Sequence, residues 1–198
     1  MKFCKTEGGN LPKVGVLALQ GNFAKHAQKL QLLGIPYQYV KTSQDLAKCD
    51  ALIIPGGEST TMSKLLELSN LGCAIQEFGT TNPIMGTCAG LILLSRKVDD
   101  PRVKPLGLID ISVKRNAYGS QLDSFITPLF CPFTKNRRCR GVFIRAPKIG
   151  HGAKNVQTII SQNNEPVMVR NKNIIALTFH PELTTELSVH AYFLGCAS

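Results

Sequence analysis

Apolar residues along the first half of this 198-residue chain occur in short runs that alternate with longer segments carrying an apolar face. Unbroken apolar runs are typical of buried strands, and apolar positions three or four residues apart are typical of amphipathic helices. Ser59 is a suitable N-cap for one such helix, and Gly34 closes another. The alternation predicts parallel βαβ units. The predicted strands cover residues 13–19, 36–41 and 51–54, and the predicted helices cover 23–33 and 59–68.

Strand-like runs are more frequent in the second half, and the last segment predicts a closing helix. The runs cover residues 108–113, 142–144, 156–161, 166–170 and 174–179, and the helix covers 183–195. The whole pattern predicts an α/β fold, namely a three-layer α/β/α sandwich with a mixed, mainly parallel sheet. We expect residues 1–198 to form a single domain, with the polar, glycine-bearing residues 1–12 as a loose N-terminal leader.

A cysteine lies at the turn between a predicted strand and a predicted helix, in the sequence PIMGTCAGLILLS of residues 83–95. Glycines on both sides of Cys88 allow a tight bend and a close approach by a substrate. The unpaired N–H groups and the positive dipole end at a helix start favour the thiolate, which is the nucleophilic form. Cys88 is therefore a candidate nucleophile. The alternative is a small buried cysteine in an ordinary strand–helix junction.

A candidate base follows the last predicted strand, in the sequence His180-Pro181-Glu182. Residues two apart on an extended chain point to the same side. Glu182 can therefore hold one imidazole nitrogen of His180 while the other nitrogen faces Cys88. This arrangement would supply a nucleophile, a base and an orienting carboxylate. Taken alone, the same three residues would be interpreted as a turn that ends a strand.

A glycine loop, Pro55-Gly56-Gly57-Glu58-Ser59, follows the buried-type strand at 51–54. The N–H of Gly57 could act together with the N–H of Ala89 to stabilise a tetrahedral oxyanion. Gly57, Cys88 and His180 all follow predicted strands, and folds of this type bind ligands at the carboxyl ends of their strands. The sequence thus predicts that the candidate groups meet at one edge of the sheet.

The composition is that of a globular protein, with 43% hydrophobic residues and a mean hydropathy of +0.02. No apolar run approaches the roughly 20 residues that a membrane span needs, and residues 1–7 lack the apolar centre of a signal peptide. We therefore expect a cytoplasmic location. Seven cysteines without a CxxC pair are expected to be reduced. Cys4, Cys49, Cys73, Cys131, Cys139 and Cys196 are given no functional role.

Basic residues are in excess, and the formal net charge is +10. The densest basic cluster is KNRRCR at residues 135–140. Because no nucleic-acid motif and no aromatic residues accompany it, we expect no nucleic-acid binding. A solvated loop or a surface that faces an acidic protein partner is the preferred interpretation.

Six short motifs add to this picture: VLALQG at 16–21, IIPGGESTT at 53–61, GTCAGL at 86–91, RNAYG at 115–119, GVFIRAP at 141–147 and HPELT at 180–184. Together they resemble the class I glutamine amidotransferases, and within these the glutaminase subunits of pyridoxal 5′-phosphate synthase. The cysteine and glycine-loop motifs indicate only the broad class. RNAYG and GVFIRAP are the motifs that point to this particular family.

The resemblance implies a flavodoxin-like fold and hydrolysis of L-glutamine to L-glutamate and ammonia through a Cys-His-Glu triad of Cys88, His180 and Glu182. A glutamine site with an arginine and a carboxylate suits a substrate that carries a carboxylate and an ammonium group. No residue spacing is typical of a metal site. The implied glutamine-binding residues are Gly57, Glu58, Ser59, Arg115, Ile144 and Arg145.

The resemblance also implies a partner, a (β/α)8-barrel synthase subunit in a hetero-oligomer that uses the ammonia to make pyridoxal 5′-phosphate, vitamin B6. That cofactor would be the product of the complex, so we expect this chain to bind none. His26 could face the partner or be an ordinary helix residue, whereas His151 and His190 suggest no role. Ser120 and Ile126 stand where arginine and glutamate are common in the family, and the final helix stops early at Ser198. These departures bear on the fit to the partner.

Two other classes of function stay open at this point. One is a cysteine hydrolase or stress protein on a related flavodoxin-like sandwich, such as the DJ-1-like group. The other is a non-catalytic binding or regulatory protein that has kept the fold. The glycine loop together with a strand-borne His-x-Glu favours the glutaminase over the first alternative, and the intact triad favours it over the second.

Overall fold

A seven-stranded mixed sheet organises the computed structural model, which describes residues 11–115 and 124–196. Its strands are β1 (Val14–Leu17), β2 (Tyr37–Val40), β3 (Ala51–Ile54), β4 (Ile84–Thr87), β10 (Gln157–Gln162), β11 (Glu165–Asn171) and β12 (Ile174–Leu177). Their order across the sheet is β10-β11-β12-β4-β3-β1-β2. Neighbouring strands from β2 to β12 run parallel, and β11 and β10 are antiparallel additions at one edge. The predicted mixed, mainly parallel sheet is confirmed.

Helices cover both faces of this sheet. They are α1 (Phe23–Leu32), α2 (Ser43–Leu46), α3 (Ser59–Leu68), α4 (Leu71–Phe78), α5 (Ala89–Leu94) and α6 (Ser188–Cys196), with a 3-10 turn at Pro181–Leu183. Alternate residues of each strand contribute to opposite cores, because successive side chains point to opposite faces. On β3, Leu52 and Ile54 pack with α3, α4 and α5, whereas Ala51 and Ile53 pack with α1 and α6. The result is the predicted three-layer sandwich.

Two smaller sheets complete the fold. One has the strand order β5-β6-β9, and the other is the antiparallel pair of β7 and β8. Their strands are β5 (Ser95–Val98), β6 (Ile109–Lys114), β7 (Ser124–Phe130), β8 (Arg138–Ile144) and β9 (Lys148–Gly152). The sequence pattern did not predict β5, β7 or β9, nor the helices α2 and α4. β5 and β9 contain few apolar residues, and Pro128 within β7 argues against a strand in the sequence alone.

Most predicted elements are present with shifted ends, and two details differ. The closing helix was expected from residue 183, but a 3-10 turn occupies Pro181–Leu183 and α6 begins only at Ser188. Ser59 was expected to cap α3, but the N-cap is Glu58, whose carboxylate accepts hydrogen bonds from the N–H groups of Thr60 and Thr61. A carboxylate is favoured at that position because it also interacts with the positive end of the helix dipole.

The expectation that all cysteines are reduced is wrong for one pair, because Cys131 and Cys139 form a disulfide. The register of the β7–β8 hairpin places Leu129 opposite Cys139, and the turn returns Cys131 to within 5.8 Å of Cys139 between Cα atoms. That separation lies in the usual range for disulfides. Cys49, Cys73 and Cys88 are free.

Some expectations concern parts of the chain that the structure does not describe. The predicted leader, residues 1–12, lies outside the described residues except for Leu11 and Pro12, of which Pro12 is buried. Cys4 and Ser120 also lie outside them. Within the described segments, no helix combines the length and the apolar character that crossing a membrane would take.

Candidate active site

Cys88 occupies a sharp turn between β4 and α5. It is the N-cap of α5, with a φ of 49°, a region that non-glycine residues seldom adopt. Its N–H donates to the carbonyl of Leu177 at 2.8 Å, which ties the turn to β12. At Gly90, a Cβ atom would lie 2.1 Å from the carbonyl oxygen of Ile54, so only glycine allows α5 to pack this closely against β3. The surrounding backbone therefore holds Cys88 in its strained conformation.

His180 lies just after β12, at the carboxyl end of the sheet next to Cys88. Its N–H donates to the carbonyl of Val142 at 2.8 Å. Its ring packs on Gly56, where a Cβ atom would come within 2.4 Å of His180 Cε1 and 3.4 Å of Cys88 Cβ. The glycine loop thus makes room for the imidazole, which is a contact that the sequence motif did not reveal.

Glu182 holds the other side of this ring. Nδ1 of His180 lies 2.7 Å from Oε1 of Glu182, and both side chains are buried. The sequence predicted this contact from an extended chain, but Glu182 lies in the 3-10 turn Pro181–Leu183. The tight turn brings the carboxylate back to the imidazole. Cys88, His180 and Glu182 are therefore brought together in the structure.

The charges in this group support one another. Burial disfavours the imidazolium of His180, but hydrogen bonds to Cys88 and Glu182 outweigh this effect and raise its pKa to about 10. Burial also disfavours the carboxylate of Glu182, yet His26 and His180 hold the pKa of Glu182 below its usual value. The buried pair thus favours an imidazolium next to a carboxylate.

We expect the loss of this imidazolium to make the protein less stable at alkaline pH. The pKa of His180 rises on folding from 6.5 to about 10, so the folded state binds an extra proton between these values. The stabilisation is complete below 6.5 and is lost as the pH rises through about 10. Melting temperatures of the wild type and of His180→Gln, measured across this window, test the expectation. Parallel curves for the two proteins would contradict it.

A cavity of about 550 Å³ opens in front of Cys88 and His180. All six residues that the resemblance implied for glutamine binding line it. The complete lining is Asn22, Gly57, Glu58, Ser59, Cys88, Ile92, Arg115, Ser124, Ile144, Arg145 and His180. Asn22, Ile92 and Ser124 were not expected from the sequence. Ala89 follows Cys88 directly at the start of α5 and is 1% exposed.

Two of the lining residues form an ion pair with each other. The guanidinium of Arg115 lies 3.1 Å from Oε1 of Glu58 and also contacts the carboxylate of Asp100. Burial opposes ionisation of Glu58, but hydrogen bonds from Thr60 and Thr61 lower its pKa to about 2. Both signs of charge are therefore present in one wall of the cavity.

His26 and His190 are both buried next to the site. Of the two interpretations of His26, a residue that faces a partner or an ordinary helix residue, the first does not fit, because His26 is 0% exposed and lies 3.5 Å from Glu182. The apolar side of α1 packs against the sheet, and His26 is on that side. His190, for which the sequence suggested no role, is also 0% exposed and contacts His26. Neither residue has a neighbour in sequence that could have signalled this contact.

The chemistry of the site follows from the groups that meet at the carboxyl ends of β4 and β12. These are a thiol, an imidazole that a carboxylate orients, and a charged cavity wall. They are the groups that acyl transfer through a thioester requires. As a separate finding, the described residues contain no group of three or more histidine, cysteine or acidic side chains that could hold a metal ion.

Comparisons with known proteins agree with this geometry. Residues 16–197 match the SNO glutamine amidotransferase family. The pyridoxal 5′-phosphate synthase subunit PdxT of Francisella philomiragia is 46% identical over 182 residues, which cover 92% of this chain and 97% of that protein. The subunit of the same name from Thermotoga petrophila is 42% identical over 183 residues, with the same coverage.

Solved structures show the same relationship. A crystal structure of a glutamine amidotransferase superposes with a TM-score of 0.88 at 38% identity and covers 93% of this chain and 98% of its own. The structure of PurLQS from Thermotoga maritima reaches a TM-score of 0.65 at 17% identity, covering 93% of this chain and 97% of its own. At that identity the second likeness concerns the fold alone.

Proposed function

Because the chain belongs to the SNO glutamine amidotransferase family, we propose that it hydrolyses the side-chain amide of L-glutamine with Cys88 as the nucleophile. The observation that carries this proposal is the buried contact of 2.7 Å between His180 and Glu182, in a cavity that Cys88 and His180 both line. A cysteine beside an imidazole that a carboxylate orients is the arrangement of nucleophilic catalysis.

The proposed reaction begins when the thiolate of Cys88 attacks the amide carbon of glutamine. The N–H groups of Gly57 and Ala89 then stabilise the oxyanion. His180, as imidazolium, protonates the leaving nitrogen, so that ammonia departs and a thioester forms. His180, now neutral, takes a proton from water as the water attacks the thioester. The bond between the acyl carbon and the sulfur of Cys88 then breaks and glutamate leaves. Cys88 is again a thiolate beside the imidazolium of His180, which holds the proton taken from water.

Glu182 serves two purposes in this proposal. Its Oε1 fixes the imidazole of His180 with the proton on Nδ1, which leaves Nε2 for Cys88 and the substrate. Its negative charge stabilises the imidazolium that protonates the leaving group. Both purposes need the carboxylate to stay ionised, which agrees with its lowered pKa.

Recognition of glutamine is assigned to the charged wall of the cavity. Arg115 and Arg145 are the candidates for the substrate carboxylate, and Glu58 is the candidate for the substrate ammonium. Ser59 and Ile144 complete the wall with Gly57. The Glu58–Arg115 contact is 3.1 Å long, so the binding site presents a carboxylate and a guanidinium side by side.

The ammonia is proposed to pass to a pyridoxal 5′-phosphate synthase subunit, a (β/α)8 barrel, in a hetero-oligomer. The relatives of this chain bear the name of a subunit of that synthase. Ile126, where the family commonly has glutamate, has 64% of its surface exposed on β7. Next to it in sequence, Phe125 is 37% exposed, so this edge of the hairpin can influence how the two subunits fit.

Ammonia release from glutamine tests the proposal. The purified protein is assayed alone and together with its cognate synthase subunit, and glutamate is measured in the same samples. We expect equal amounts of glutamate and ammonia, formed faster when the partner is present. A folded protein that releases ammonia under neither condition would contradict the proposed function.

A further inference from the structure

Two buried histidines lie directly behind the group of Cys88, His180 and Glu182. Nδ1 of His26, on α1, is 3.0 Å from Nε2 of His190, on α6. Nε2 of His26 lies 3.3 Å from Oγ1 of Thr87 and 3.5 Å from Oε2 of Glu182. Thr87 is the residue before Cys88. His26 therefore stands between the carboxylate and the end of the strand that carries the nucleophile.

Oε2 of Glu182 needs a donor, because burying a carboxylate oxygen without one is unfavourable. It makes no hydrogen bond of ordinary length among the residues that the structure describes. The imidazole of His26 is the group that faces it, and 3.5 Å is somewhat longer than a usual N–H···O hydrogen bond of about 3.0 Å. The ammonium of Lys29, also on α1, adds an attractive charge while donating to the carbonyl of Thr184.

The charge states of these groups follow from burial. Burial lowers the pKa of His26 despite the attraction of Glu182, and His180 and Lys29 lower it further. Burial also lowers the pKa of His190 well below its usual value, with His26 and Lys29 acting in the same direction. These directions favour the neutral form of both imidazoles, in which each ring carries a single proton.

The contacts favour one position for each proton. Nε2 of His26 faces Oγ1 of Thr87 and Oε2 of Glu182. An ionised carboxylate only accepts hydrogen bonds and a hydroxyl can accept them, so a proton on Nε2 of His26 suits both neighbours. Nδ1 of His26 is then an acceptor, and His190 must donate to it from Nε2. This leaves Nδ1 of His190 unprotonated, and that atom has no hydrogen-bond partner in the described part of the chain. An acceptor is easier to leave without a partner than a buried N–H donor.

We propose that His26, oriented by His190 and Thr87, is a positioning residue for the glutaminase site: its protonated Nε2 faces Oε2 of Glu182 at 3.5 Å and keeps Oε1 on Nδ1 of His180. The inference rests on the proposed function and adds to it a layer of residues that touch neither substrate nor reacting atoms. His190 contacts His26, and His26 and His180 each face one carboxylate oxygen of Glu182. The carboxylate is thereby held from both sides.

The proton positions can be measured directly in the unmodified protein. The chain contains four histidines, so long-range nitrogen–hydrogen NMR spectra of protein labelled with nitrogen-15 in its histidines can resolve each ring. Signals are assigned with the variants His26→Gln and His190→Gln. We expect both His26 and His190 to be neutral, with the proton on Nε2, on either side of the ordinary histidine pKa of about 6.5. A proton on Nδ1 of His26, or an imidazolium at either residue, would overturn the proposal.

Kinetics of the complex with the synthase subunit test the positioning role. His26→Leu is expected to lower kcat about 10- to 100-fold, because the polar group that faces the buried carboxylate is lost. KM for glutamine should change little, since His26 does not line the cavity. The acid limb of the pH profile should move upward as the pKa of Glu182 rises. His26→Gln, whose amide can donate in place of Nε2, should recover most of kcat.

Leu30→Ala is the matched control, because Leu30 is 0% exposed on the same helix and packs in the core. It should lower the melting temperature but leave kcat per folded molecule and the pH profile unchanged. If His26→Leu behaves like this control, His26 has only a structural role and the inference is wrong. If the wild type itself releases no ammonia, the proposed function fails, and the NMR result still decides the proton positions.

Discussion

Cys88→Ala is expected to reduce ammonia release from glutamine by about 10⁴-fold or more, because no other group described at the site can form the thioester. The fold should be retained. The substitution removes a single sulfur atom from this buried position, where Cys88 is 8% exposed, and it introduces no steric clash. The measurement is glutamate formation by the complex with the synthase subunit, followed for long enough to detect a residual rate.

Cys73→Ala is the matched control for this substitution. Cys73 is a free cysteine like Cys88, but it is exposed and does not line the cavity. Its variant should keep the wild-type rate. Circular dichroism and melting curves of both variants show whether they are folded. A folded Cys88→Ala protein with more than a small fraction of the wild-type rate would remove Cys88 from the proposed mechanism.

Glu182→Gln should lower kcat by about 10² to 10⁴-fold, with little effect on KM. The replacement keeps the shape of the side chain but removes the charge that holds the imidazolium of His180. The pKa of His180 should therefore fall from about 10 towards its ordinary value of 6.5. The stabilisation that the wild type loses between these pH values should be smaller in the variant, in which the hydrogen bond of His180 to Cys88 remains.

Steady-state kinetics and the pH dependence of the melting temperature check this prediction together. Glu67→Gln is a suitable control, because Glu67 forms an exposed ion pair with Lys104 on the surface. An exposed pair of this kind contributes little to stability, so this variant should match the wild type in both measurements. Normal turnover in folded Glu182→Gln would contradict the role assigned to the carboxylate.

The site combines a contact between residues that are close in sequence with a contact between residues that are far apart in sequence. His180 and Glu182 are two residues apart, and their contact of 2.7 Å was expected from their spacing. His26 and His190 are 164 positions apart, and nothing in either local sequence indicates that they meet. The packing of α1 and α6 on the same face of the sheet is what brings them together.

The sequence by itself determined the elements whose pattern is local. The strand at residues 51–54 was predicted with its observed bounds, because four consecutive apolar residues before a glycine loop are typical of a buried strand. The cysteine between a strand and a helix, and the six cavity-lining residues implied by the resemblance, were also available before the structure. Turn chemistry, hydrophobic runs and short motifs depend on residues close together in the chain, so a pattern can reveal them.

Only the tertiary structure decided which distant groups meet. It placed Cys131 against Cys139 across a hairpin and buried His26 behind Glu182. Each of these contacts depends on the register of strands or on how helices pack against the sheet. Such packing is set by the fit of the whole core, and no short stretch of sequence contains it.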